Sequence, residues 1–138
     1  MFSTKNRQGT ITPTIEEELY KYMGGILCGI EGICLEINGM TDHVHILAKL
    51  PLKIAISSSL RDIKANSSKW VNETKSGLQN FGWQDGYFAF TVSKSQVDVV
   101  RQYIRNQKQH HRSSDFKAEL LALLGKHEID YDERYLWD

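Results

Sequence analysis

Within TDHVHILAKL, residues 41–50, two histidines stand one residue apart. Side chains alternate along a strand, so His43 and His45 share one face while Val44, Ile46 and Ala48 take the other. Two neutral imidazoles side by side can ligate a divalent ion, or stand as a solvated, hydrogen-bonded pair; the spacing alone leaves both open. A second group able to do chemistry lies near the C-terminus. Tyr103 and Gln107 are four residues apart, which on one helix sets them roughly 40° apart at about 100° per residue. Val97, Val100 and Ile104 form the adjoining apolar stripe, and from its border a phenol and an amide can reach a sheet face. A nucleophile and a ligand would be placed this way, and so would ordinary packing residues. Arg101, Arg105, Lys108 and Arg112 surround the pair, and no acid occurs between Asp98 and Asp115. The expectation is a positive patch with nothing nearby to neutralise it.

The elements that must position these groups follow from periodicity. Thr14-x-x-Glu17 has the form of a capping box, and Ile15, Leu19, Met23, Ile26 and Ile30 recur at helical spacing, with Gly24-Gly25 as a weak point. From residue 33 the period changes to two, and Asn38-Gly39 is expected to turn the chain into a second strand over 43–50 that Pro51 ends. Ile56, Leu60, Ile63, Ser67 and Trp70 mark a second helix that crosses back over the sheet. Residues 81–86 read as a turn and 87–93 as a further strand. A third long helix runs from Ser95 to about Arg112. After a break at Ser113-Ser114, a short helix over 116–124 is ended by Gly125 and followed by an acidic, aromatic tail. This order is that of an α+β, ferredoxin-like βαββαβ sandwich, an antiparallel sheet with helices on one face, plus a C-terminal helix carrying the tyrosine. Only Met1 to about Lys5 is available for the first strand, which is therefore shortened, as by truncation or a misassigned start.

Composition narrows the setting. A chain of 138 residues, 41% hydrophobic, is expected to form one domain over 1–138 with a real core. No apolar run has membrane-spanning length and the N-terminus lacks a signal-peptide layout, so the expected location is the cytoplasm, with no membrane partner. Cys28 and Cys34 read as buried free thiols. The net charge of zero conceals an asymmetry: residues 49–112 hold eleven Lys/Arg against four acids, whereas 115–138 hold seven acids against three bases. Such a basic middle suits a phosphate-bearing partner, or only a solvated face.

His43-Val44-His45, preceded by Asp42, together with Tyr103-Ile104-Arg105-Asn106-Gln107, resembles the His-hydrophobic-His and Tyr-x-x-x-Gln signatures of the single-tyrosine transposases of the insertion-sequence 200/605 type. The stretches FSTKNR, LRDIKANSSKW, GYFAFTVS and YDERYL are also similar to that family and to its relatives associated with repetitive extragenic palindromes. The resemblance implies a metal-dependent transesterification on single-stranded DNA with hairpin ends. By it, His43, His45 and Gln107 hold Mg²⁺ or Mn²⁺, Tyr103 is the nucleophile, no ATP is needed, and a homodimer can complete each site in trans. With no carboxylate among those ligands, metal affinity is expected to rise when the DNA phosphate arrives. Arg61, Lys64, Lys69, Lys94, Arg101, Arg105 and Lys108 are the candidate phosphate contacts, and Tyr87 or Phe88 a stacking surface for an unpaired base. Two other readings compete: a domesticated or truncated relative that binds hairpin DNA without cutting, and a metallohydrolase in which water attacks instead of Tyr103.

Overall fold

The computed structural model describes residues 1–75, 80–110 and 116–127. Its class is α+β, built on a three-stranded antiparallel sheet of β1 (Phe2–Ser3), β2 (Ile33–Gly39) and β3 (His43–Lys49) in the order β1-β3-β2. The histidine strand is thus central, paired on both sides.

Helix α1, Pro13–Gly29, begins one residue before the capping box that the sequence suggested. Pro13 takes the first helical position, where a missing N–H costs nothing and the ring pre-sets φ, so Thr12 rather than Thr14 is the cap. Ile15, Leu19, Met23 and Leu27 are buried at four-residue spacing, and the helix runs unbroken through Gly24-Gly25. They meet α2, Ile56–Thr74, whose buried face is Ser59, Ile63, Ser67 and Val71. Together they cover the Val44 side of the sheet in one core with Phe2, Phe81 and Trp83, against which Ile46 and Ala48 also pack. The small Ser67 admits the Trp83 indole and accepts its N–H at 2.8 Å, while Asn72 brackets the backbone of Phe81 with two bonds of 2.9 Å. Cys28 is exposed and Cys34 half-buried, so the expectation of two buried thiols does not hold. Cys28 lies off the buried stripe of α1, and Cys34 lies at the β-bulge of β2.

The expected turn at Asn38-Gly39 is strand instead, with Gly39 opposite Val44, Asn38 opposite His45, and the chain turning over 40–42. Gly39 serves close approach here: a Cβ on it would lie 2.1 Å from the carbonyl oxygen of His43. Gly39→Ala should therefore force the β2 and β3 backbones apart beside His43, with a stability loss on the order of 1–3 kcal/mol visible in thermal melting. A melting temperature equal to that of the parent would contradict this close packing.

Residues 87–93 carry the alternation of a strand but do not form one. Met1 and Phe88 exchange a reciprocal pair of backbone hydrogen bonds, both 2.9 Å, and pairing stops there. Among the described residues no strand pairs with 89–93, so their alternation builds no ladder. The third long helix is also divided. A 3-10 turn at Lys94–Gln96 leads into α3 (Val97–Arg105), the helix breaks at Asn106, and α4 (Gln107–His110) follows. Asn38 Nδ2 donates to the carbonyls of Ile104 and Arg105 at 3.0 and 3.1 Å, supplying partners from β2 at the point where the helix stops. The last described helix, α5 (Phe116–Lys126), passes through Gly125. The predicted break at Ser113-Ser114 and the acidic tail lie outside the described residues.

Candidate active site

Alternation along β3 puts His43 and His45 on the side of the sheet away from α1 and α2. Both are buried, their rings T-shaped with centroids 5.3 Å apart. Asp42 Oδ1 lies 2.8 Å from His43 Nδ1, and since a carboxylate only accepts, that nitrogen carries a proton. The opposite nitrogen, Nε2, is turned inward toward Gln107 Oε1 at 3.3 Å and Glu119 Oε2 at 3.3 Å.

Tyr103 and Gln107 arrive at the same place from either side of the Asn106 break. Tyr103 stands edge-on to His45, centroids 5.8 Å apart, and its hydroxyl donates to Glu119 Oε1. Gln107, fully buried, donates to that same oxygen at 3.0 Å. All four groups singled out by their spacing, His43, His45, Tyr103 and Gln107, therefore meet in one chain.

Sequence reasoning missed the residue at their centre. Glu119 of α5 is 3% exposed and sets Oε1 2.8 Å from His45 Nε2. A signal was available: Glu119 interrupts the apolar positions 116, 120, 123 and 124 of a short helix, where a carboxylate must find buried partners. His43, His45 and Glu119 each offer a ligand atom, all within 4.8 Å of one another. His45 Nε2 is buried and, among the described residues, has no hydrogen-bond partner despite its nearness to Glu119, the contact being misaligned for one. Burial holds the His45 pKa down at about 4, so its ring is neutral at pH 7. A buried imidazole nitrogen without a hydrogen-bond partner, 2.8 Å from a carboxylate oxygen, is an arrangement that a cation held by both would satisfy. Two imidazoles with carboxylate and amide oxygens suit a divalent ion, so the residues present fit one.

The charge state of the other groups follows from the same crowding. Burial would lower the His43 pKa, but the hydrogen bonds and charges of Asp42 and Glu119 outweigh it and raise it. Burial would raise Glu119, yet the close imidazoles of His43 and His45 and the Tyr103 hydroxyl hold it well below the usual carboxylate range. Burial first, then the Glu119 carboxylate, push the Tyr103 phenol above its ordinary value. Tyr103 is therefore a neutral phenol at pH 7.

The basic residues divide into two sets. Arg101 donates to the carbonyl of Leu35 at 2.9 Å, Arg105 pairs with Glu36 at 2.8 Å, and Lys108 reaches Glu16 at 2.7 Å and the Gly39 carbonyl. The patch expected to lack neighbouring acids is thus met by Glu36 and Glu16 from other elements, and these cations tie α3 and α4 to β2. Lys64 is likewise engaged by the carbonyls of Gln84 and Gly86. Arg61 and Lys69 are exposed beside Asp62 and Glu73, and Lys94 is exposed. Arg61, Ser68, Trp83 and Tyr87 help to line a cavity of about 400 Å³ that the histidines do not border. Tyr87 is exposed there, whereas Phe88 packs against Leu120 and Leu124.

Residues 1–107 match the profile of the family described as Transposase IS200 like. The chain is 31% identical over 78 residues to the transposase for insertion sequence element IS200 of Salmonella typhimurium and to that of Salmonella typhi. Each match covers 53% of this chain and 51% of the relative, so the chain spans about half the length of the curated relatives it matches. It is similar in fold to a crystal structure of a candidate transposase from Deinococcus radiodurans R1, with a TM-score of 0.63 and 22% identity over 77% of this chain and 85% of that one.

Proposed function

The chain belongs to the IS200-like transposase family, and from that premise we propose that it cuts and rejoins single-stranded DNA at hairpin-bearing element ends through a covalent 5′-phosphotyrosine on Tyr103. The observation that carries this reading is the Tyr103 hydroxyl lying in the same buried cluster as His43, His45 and Gln107. The whole chain, 1–138, acts as one transposase domain.

In the proposed reaction the Tyr103 oxygen forms a bond to the scissile phosphorus and the bond to the 3′-oxygen breaks. The phenolic proton is lost and the departing strand gains one, leaving a free 3′-hydroxyl. One phosphodiester replaces another, so no ATP is needed, and attack by a different 3′-hydroxyl rejoins the strands and frees Tyr103. His43, His45 and Gln107 would hold Mg²⁺ or Mn²⁺, which when bound polarises the phosphate and offsets the charge gathering on its oxygens. Asp42 keeps the proton on His43 Nδ1, so that the inward nitrogen is the ligating one. Exposed Arg61, Lys69 and Lys94 contact phosphates, and Tyr87 at the rim of the α2 cavity offers its ring to an unpaired base. The setting is the cytoplasm; among the described residues no helix is long and apolar enough to cross a membrane.

The test is incubation with single-stranded DNA from the ends of the encoding element and Mg²⁺ or Mn²⁺, followed by denaturing electrophoresis and peptide mapping. The expected product is a protein–DNA adduct on Tyr103. Cleavage without an adduct would favour attack by water, and a shifted native band without cleavage would favour a protein that only binds.

The proposed assembly is a homodimer. Tyr103 stands beside the histidines of its own chain, so mixtures of His43→Ala and Tyr103→Phe subunits are expected to stay inactive. Activity restored on mixing would instead show that the tyrosine helix serves the partner's site.

A further inference from the structure

Resting on the metal-dependent reading above, we propose that Glu119 is a fourth protein ligand of the divalent ion, one that lets the cation bind before any DNA is present. The ligand set implied by family resemblance, His43, His45 and Gln107, is uncharged, which leaves the substrate phosphate to supply the anion. Here α5 delivers an anion from the protein itself. Glu119 lies outside the matched stretch of 1–107, yet its two oxygens face both inward imidazole nitrogens, at 2.8 and 3.3 Å. Its placement is anchored by Leu120 and Leu124, both fully buried against Met1 and Phe88. Buried carboxylates are held by hydrogen bonds, paired charge or metal, and Glu119 meets the Tyr103 hydroxyl, the Gln107 NH2 and two imidazole nitrogens, the last being of ligand type. The buried, unpartnered Nε2 of His45 beside Oε1 marks where the two donors would converge on a cation. Oε1, the oxygen beside His45, also accepts from Tyr103, so the carboxylate that would fix the ion also holds the proposed nucleophile.

The experiment is a Mn²⁺ titration of the full chain without DNA, followed by calorimetry and by the electron paramagnetic resonance of free Mn²⁺. The parent protein should bind one ion, and Glu119→Gln, which keeps the shape and removes the charge, should bind it at least about tenfold more weakly. Adding single-stranded DNA should narrow that gap, since phosphate then supplies the missing charge. Glu119→Asp should fall between the two. Circular dichroism reports whether each variant folds, and the parent titration stands even if one does not. A parent chain that takes up Mn²⁺ only with DNA would overturn the proposal, as would Glu119→Gln binding like the parent. His43→Ala separates the two failures: if it alone loses the ion, the metal reading stands and the role of Glu119 falls. If neither variant loses it, both fall.

Discussion

Tyr103→Phe leaves a protein that folds, binds Mn²⁺ as before and forms no covalent DNA adduct, a loss of at least about 10³-fold in strand cleavage. The substitution removes one oxygen and keeps the ring, so the edge-on contact with His45 survives. It also removes a hydrogen bond to the Glu119 carboxylate, a change of about 1.5–3 kcal/mol for a bond to a charged group, which thermal melting measures separately from activity. The chemical loss is of a different order, because no other atom of that side chain can take the phosphorus. A variant that still cleaves DNA at a tenth of the parent rate would remove Tyr103 from the reaction and return the water mechanism to first place.

His43→Ala is expected to weaken Mn²⁺ binding by at least about a hundredfold and to abolish cleavage, while single-stranded DNA still binds. Removing an outer partner of a metal ligand costs about 10–100-fold, so removing the ligand itself should meet or exceed the top of that range. The ring is wholly buried between Asp42 on one side and Gln107 and Glu119 on the other. Its loss opens a cavity and breaks that chain of contacts, for a stability cost on the order of 3 kcal/mol. The phosphate contacts proposed for DNA lie on other elements, which is why binding should outlast cutting. Cleavage that persists in this variant and still requires Mn²⁺ would move the ion elsewhere in the protein.

These expectations rest on parts of the site that were legible to different degrees. The pairing of His43 with His45 needs only the two-residue period of a strand, a local rule that the sequence displays openly. Tyr103 and Gln107 were visible as a four-residue spacing, but their helix was read as continuous. The break at Asn106 depends on Asn38, whose amide reaches across from β2, and no window around residue 106 contains that partner. The same holds for charge: Arg101, Arg105 and Lys108 lack acidic neighbours in sequence but find Glu36 and Glu16 in space. Residues 87–93 failed in the opposite direction. Their alternation is that of a strand, but pattern cannot supply a backbone to pair with, and β1 extends only over Phe2–Ser3. Glu119 sat in a short apolar helix where its carboxylate was the anomaly, and recognising it required knowing what lay opposite.

The interruption at Asn106 changes what the two side chains of that segment can do. On a single rod, Tyr103 and Gln107 would share one axis, and any shift of one would carry the other along a common arc. Divided at Asn106, they sit on separate helices, Tyr103 in the last turn of α3 and Gln107 at the first residue of α4, and still meet at the same carboxylate oxygen. The Asn38 amide grips the two carbonyls between them, so the joint that separates phenol from amide is tied to the outer strand of the sheet.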